Sequence, residues 1–100
     1  MFPRDVPATF EREHGLTEAD WLATLPQAAG THPLVIDGPG AEITIGYGRL
    51  QLHWDVLPER RIGLARLPRL QVTYRFIDAD AGARSAFMRR FDLVIQRGGG

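Results

Sequence analysis

Strict alternation of apolar and polar side chains is the feature of this sequence that most constrains its fold. Two runs, RLQLHWDV (49–56) and RLQVTYRF (69–76), alternate without interruption. Successive side chains of a β-strand point to opposite faces of its sheet, so each run predicts a strand with one buried face and one face in water. The apolar members of the two runs are Leu50, Leu52, Trp54, Val56, Leu70, Val72, Tyr74 and Phe76.

Shorter segments predict two more strands before these. HPLVID (32–37) is an apolar run, and in AEITIGY (41–47) the side chains of Ala41, Ile43, Ile45 and Tyr47 alternate with polar or small residues. DGPG (37–40) and GYG (46–48) predict tight turns, because glycine permits a positive φ and proline restricts its own. Strands joined by such short turns pair as an antiparallel meander.

The segment between the two long runs is harder to assign. LPERR (57–61) is predicted to be a loop. Residues 62–67 are either a short separate strand or the start of one long, bent strand. Pro68 has no backbone N–H to donate to a strand partner, so it marks a bulge, a corner or an edge.

One helix is predicted on each side of the strands. Thr17 is a suitable N-cap for the first, which buries Trp21, Leu22 and Leu25 and is ended or kinked by Pro26. The second is predicted to begin at a cap formed by Asp78 or Asp80. Its apolar side consists of Ala83, Phe87, Met88, Phe91, Val94 and Ile95.

These elements predict an α+β fold. The expected architecture is a two-layer sandwich, with an antiparallel meander sheet of three to five strands packed against a C-terminal helix and a short N-terminal helix. Residues 1–15 are predicted to be an N-terminal arm, ordered only if it packs. Residues 16–98 are predicted to be a single domain and residues 99–100 a glycine tail. Trp54, Tyr74, Phe76, Phe87 and Phe91 should lie in the core.

Composition narrows the class of protein. A hydrophobic fraction of 44% is typical of a globular chain. The absence of cysteine excludes disulfides, thiolate metal sites and a cysteine nucleophile. No apolar run is long enough to span a membrane, and no signal-peptide pattern is found at the start. We therefore expect a cytoplasmic location and no membrane contact.

Charge is distributed unevenly along the chain. All 12 basic residues are arginine; residues 1–59 contain three arginines and nine acids, whereas residues 60–100 contain nine arginines and three acids. The two halves either neutralise each other on the folded surface or in a dimer, or leave a basic face for an anionic partner. The candidate partner-binding residues are Arg60, Arg61, Arg89, Arg90 and Arg97.

A second candidate site lies on the polar face of the predicted sheet. His53 and Asp55 point to the same side and would make a metal pair or an oriented base if a third group joined them. Asp37, Glu42 and His32 could supply that group only if the register brings them near. The more ordinary interpretation is a solvated strand face, so we predict no catalytic, cofactor or metal site. The full candidate set is Arg49, His53, Asp55, Arg69 and Arg75.

The C-terminal third carries a resemblance. The strand pattern R-L-x-V-x-Y-x-F within LPRLQVTYRFIDADAGARSAFMRRFDLVIQRGG (67–99), followed by F-M-R-R-F-D-L and Q-R-G-G, resembles a family of small uncharacterised conserved hypothetical proteins of GC-rich proteobacteria. The resemblance implies a bacterial α+β domain and assigns no functional residue. A GC-rich genome would also explain the use of arginine without lysine.

Three functions remain open from the sequence. The leading hypothesis is a non-catalytic protein-interaction or assembly module, in one form a homodimer. One alternative is a small-ligand-binding protein or enzyme with a pocket between sheet and helix, lined by residues such as Met88 and Tyr74. The other is nucleic-acid binding through arginines, which the sequence disfavours because Trp54, Tyr74 and Phe76 fall on the apolar side and cannot stack on bases.

Overall fold

The computed structural model describes residues 5–98. In chain order the elements are β1 (Thr9–His14), α1 (Glu18–Ala29), β2 (Leu34–Asp37), β3 (Gly40–Ile45), β4 (Gly48–Ile62), β5 (Ala65–Ile77) and α2 (Ala81–Gly98). The five strands form one antiparallel sheet in the order β1-β5-β4-β3-β2, and both helices cover one face. The predicted two-layer α+β fold is confirmed. The glycine tail at 99–100 and residues 1–4 of the N-terminal arm lie outside the described residues.

Strand β1 was not predicted as a strand. The segment expected to be an arm, ordered only if it packs, does pack: Phe10 lies opposite Tyr74 and His14 opposite Leu70. The side chains of Phe10, Arg12 and His14 face the helices and are half-buried. Because two of these three inward-facing residues are polar, the alternation that marks the other strands is hidden in β1.

The core lies between the sheet and the two helices. All five aromatic residues predicted to be buried are buried. Phe91 of α2 is fully buried, and its ring centroid is 6.2 Å from that of Trp21 and 6.0 Å from that of Tyr74. These contacts join α1, α2 and β5 in a single apolar cluster.

Helix ends follow the capping chemistry predicted from the sequence. The Thr17 hydroxyl accepts a hydrogen bond from the Asp20 amide at 3.1 Å. Helix α1 passes through Pro26 and ends at Gly30, whose φ of 64° suits glycine. At the start of α2, Asp80 is the cap, because its carboxylate accepts a hydrogen bond from the Ala83 amide at 2.8 Å.

Three local predictions were wrong. LPERR (57–61) is not a loop but part of β4, which accommodates Pro58 through a register shift between Leu57 and Arg60. Tyr47 does not share the buried face of β3, since it occupies the β3–β4 turn and is fully exposed. Residues 62–67 are neither a separate strand nor the start of a single strand, because Ile62 ends β4, residues 63–64 form the turn and residues 65–67 begin β5. Pro68 lies opposite the bulge, which was one of the three positions predicted for it.

Candidate interaction surface

The most distinctive surface belongs to the long hairpin formed by β4 and β5. Strand β3 pairs with β4 only as far as His53, and β1 pairs with β5 only from Leu70 onward. Residues 57–68 therefore continue as a two-stranded ribbon whose outer edges pair with no other strand of the described residues. We call these residues the hairpin extension.

The bulge determines which side chains share a face of the hairpin extension. Directly opposed residues of an antiparallel pair point to the same side of the sheet. Arg60 lies opposite Leu67 and Ile62 opposite Ala65, on the open face of the sheet that also carries Arg69. Arg61 and Arg66 are opposed to each other on the face that continues the helix-covered side.

Aliphatic side chains of this region are exposed. The exposed fractions are 64% for Val56, 60% for Ile62, 104% for Leu64 and 43% for Leu67. Val56 belongs to the apolar face of β4 but lies beyond the helical layer. The Trp54 indole N–H, on the same face, donates to the Glu18 carboxylate at the start of α1 over 2.8 Å. Helix α1 thus begins near the base of the hairpin extension.

The arginines of the hairpin extension and its base differ in their partners. Arg69 donates to Glu13 of β1 at 2.8 Å, and Arg60 lies 3.7 Å from the same carboxylate. The hydrogen bond from Arg69 lowers the pKa of Glu13, and the same bond raises the pKa of Arg69. Arg61 and Arg66, by contrast, make no hydrogen bond or ion pair to any residue that the structure describes.

The remaining predicted partner-binding residues lie elsewhere. Arg90 of α2 donates to the carbonyl oxygens of Gln27 and Ala28 at 3.4 and 3.5 Å, where it caps the C-terminal end of α1. Arg89 and Arg97 are exposed on α2. The five arginines predicted as one contact set therefore fall on two separate elements, and one of them holds the helices together.

The polar face of the sheet is open, as predicted. His53 Nε2 is 3.7 Å from the Asp55 carboxylate, and both side chains are exposed. Arg49 pairs with Glu42 at 3.2 Å. The twist of four strands forms an open concavity of about 520 Å³, lined mainly by Val35, Asp37, Glu42, Gln51, His53 and Arg75. This concavity is on the exposed face and not between sheet and helix.

Asp37 and Glu42 line the same concavity as His53. His32 is not among the residues that line it, and its Nδ1 lies 3.1 Å from the Thr44 carbonyl oxygen. Within residues 5–98, no three histidine or acidic side chains are grouped so as to hold a metal ion.

A partly buried polar cluster between β1, β5 and α2 was not predicted. Arg12 donates to both oxygens of Asp92 at 2.6 and 3.1 Å, and His14 Nε2 lies 2.7 Å from the Tyr74 hydroxyl. Burial raises the pKa of Tyr74 and lowers the pKa of His14. The positive charge of nearby Arg12 lowers the pKa of His14 further. The only signal in the sequence was the spacing of Phe10, Arg12 and His14 at every second residue.

The lowered pKa of His14 makes stability depend on pH. The unfolded chain binds a proton near the ordinary histidine value of 6.5, whereas the folded chain binds it only at lower pH. The free energy of unfolding should therefore fall as pH drops from about 7 to about 5.5, with a slope of at most about 1.4 kcal/mol per pH unit for this group. Urea titrations across that range measure the slope.

The matched control is His53, which is exposed on the opposite face. His14→Gln should flatten the pH dependence, and His53→Gln should leave it as in the parent protein. Equal slopes in the two variants would contradict the assignment to His14.

Comparisons with known proteins add no assignment to this geometry. No family model, curated protein or solved structure matches the chain. No helix within residues 5–98 is long and apolar enough to cross a membrane. The resemblance to a proteobacterial family stays a prediction.

Proposed function

We propose that this protein is a non-catalytic protein-interaction module and that the hairpin extension is its contact surface. The observation that carries the proposal is the exposure of Ile62, Leu64 and Leu67 on a ribbon that projects beyond the helical layer. Exposed aliphatic side chains grouped in this way gain free energy when a partner covers them. The ribbon has no further layer of its own to cover these side chains. A two-stranded hairpin without such packing is only marginally stable.

The type of contact follows from the edges of the hairpin extension. Pro58 and Pro68 cannot donate backbone hydrogen bonds; Pro58 lies within the bulge and Pro68 opposite it. Prolines, bulges and charged side chains are devices that prevent a sheet edge from pairing with another chain. We therefore propose that the partner packs against the faces of the hairpin extension and does not add a strand to its edge.

Photo-crosslinking tests the proposal with a matched control. Leu64 and Tyr47 occupy the tips of two hairpins at opposite ends of β4, both fully exposed and both preceded by a glycine with φ near 60°. A photoreactive residue at position 64 should form protein adducts in cells, whereas the same residue at position 47 should form few. Excess unlabelled chain should suppress the adducts.

The competition step separates specific contact from random capture. An unlabelled chain carrying Ile62→Ser and Leu67→Ser should fail to suppress the adducts, provided that its circular dichroism matches that of the parent. Equal adduct yields at positions 64 and 47, or full competition by the double variant, would overturn the proposal.

A further inference from the structure

We infer that the partner of the hairpin extension is a second copy of this chain, with Arg61 and Arg66 of each copy paired with Glu18 and Asp20 of the other. This inference rests on the proposed function, since it names the partner of the same hairpin extension; the ion pairs lie on its helix-side face, opposite the face that carries Ile62 and Leu67. It goes beyond that function by committing to self-association and to particular ion pairs.

The first observation is that Arg61 and Arg66 are two arginines without acidic partners among the described residues. They are directly opposed across the ribbon, and like charges in that position repel each other. Neither has an acidic partner within residues 5–98 of its own chain. Arg60 and Arg69, on the other face, share Glu13. The helix-side face of the hairpin extension is therefore cationic and uncompensated, and an anionic partner would relieve the repulsion.

The same chain exposes a complementary surface. Glu18 and Asp20 occupy the first turn of α1, and both are exposed. The Asp20 backbone N–H donates to the Thr17 hydroxyl. The Asp20 carboxylate makes no hydrogen bond or ion pair to a described residue. Glu18 uses one oxygen to accept from Trp54. Acidic charge thus stands at the base of the hairpin extension.

The two charged surfaces do not meet within one copy. Helix α1 begins beside Trp54, whose partner in β5 is Val72, and Arg66 lies six residues from Val72, roughly 20 Å along the strand. A two-fold arrangement uses the same patch of both copies, so each hairpin extension can cross to the α1 start of the other. Val56, exposed at the base, then offers an apolar contact for Leu64 at the tip.

A second copy explains the charges better than a nucleic acid does. Two unpaired arginines would contact few phosphates, and the acidic first turn of α1 would stand close to the same strand. The formal net charge of the chain is +0, and its basic and acidic residues are segregated between the two halves. That distribution suits a surface that complements itself.

Sedimentation equilibrium of charge-reversed variants tests the inference. The parent chain should dimerise, and Arg61→Glu with Arg66→Glu should raise the dimer dissociation constant at least tenfold. Adding Asp20→Arg to that same variant should restore part of the affinity, because the charges of one pair are then reversed on both sides while Glu18 keeps its negative charge. The matched control reverses two exposed arginines of α2, Arg89→Glu with Arg97→Glu, and should leave the constant unchanged.

The outcomes separate this inference from the proposed function. Dissociation caused by Ile62→Ser with Leu67→Ser, but not by the arginine reversals, would retain the hairpin extension as the contact and overturn the ion pairs. A monomer at all concentrations that still forms adducts at position 64 with another protein or a nucleic acid would overturn self-association. A monomer that forms no adducts would overturn the proposed function as well.

Discussion

Replacing Phe91 with alanine should lower the free energy of unfolding by about 3–5 kcal/mol. The ring is fully buried and packs against Trp21, Tyr74 and Phe87, which come from α1, β5 and α2. Its removal leaves a cavity that three rigid aromatic rings cannot collapse to fill. Since small domains have a total stability of about 5–15 kcal/mol, this loss is a large part of what holds the fold together.

Urea denaturation measures this effect, and Leu93→Ala is the control on the same helix. Leu93 is half exposed, so its truncation should change the free energy of unfolding by much less, within about 0.5 kcal/mol. An unchanged denaturation midpoint for Phe91→Ala would contradict the packing of α2 on the sheet.

Replacing Gly48 with alanine should destabilise the protein by up to about 3 kcal/mol, the upper end of the usual cost of overpacking. A Cβ at this position would overlap the carbonyl oxygens of Ile77 and Asp78, which are backbone atoms and cannot rotate away. Gly48 begins β4 directly beside the end of β5, so relief would require separating the two central strands.

Gly15→Ala provides the comparison for this substitution. No heavy atom would lie within 4 Å of the added Cβ at Gly15, apart from its chain neighbours, and its φ is not in the left-handed region. The free energy of unfolding should then stay constant or rise by about 0.4–1 kcal/mol, because alanine restricts the unfolded chain. A Gly48→Ala variant as stable as Gly15→Ala would show that β4 and β5 do not approach as closely as described.

Much of the fold could be predicted because its alternation is strong. The buried faces of β3, β4 and β5 and the apolar side of α2 follow from spacing alone, and the aromatic residues on those faces are buried. The failures have local causes. In β1 the inward-facing residues include Arg12 and His14, which are acceptable there only because Asp92 and Tyr74 meet them from α2 and β5.

The candidate surface was less predictable than the fold. Arg60 and Arg61 were named from sequence, but neighbours in the chain lie on opposite faces of the ribbon, one near Glu13 and the other without a described partner. The bulge between Leu57 and Arg60 decides which of the two arginines takes which face, and it cannot be located from a pattern interrupted by two prolines. Arg90 was named as a partner-binding residue; it is exposed, but it also donates to carbonyl oxygens at the end of α1, a contact between residues far apart in sequence.

The sequence by itself determined the class of fold, the buried faces of three strands and one helix, and the Thr17 cap that begins α1. These properties depend on residues within a few positions of each other, so their spacing is sufficient. Only the tertiary structure decided that β1 joins the sheet, that residues 57–68 extend beyond the helices, and which arginines have partners. Those outcomes depend on the lengths of neighbouring strands and on contacts between distant segments, which local periodicity does not encode.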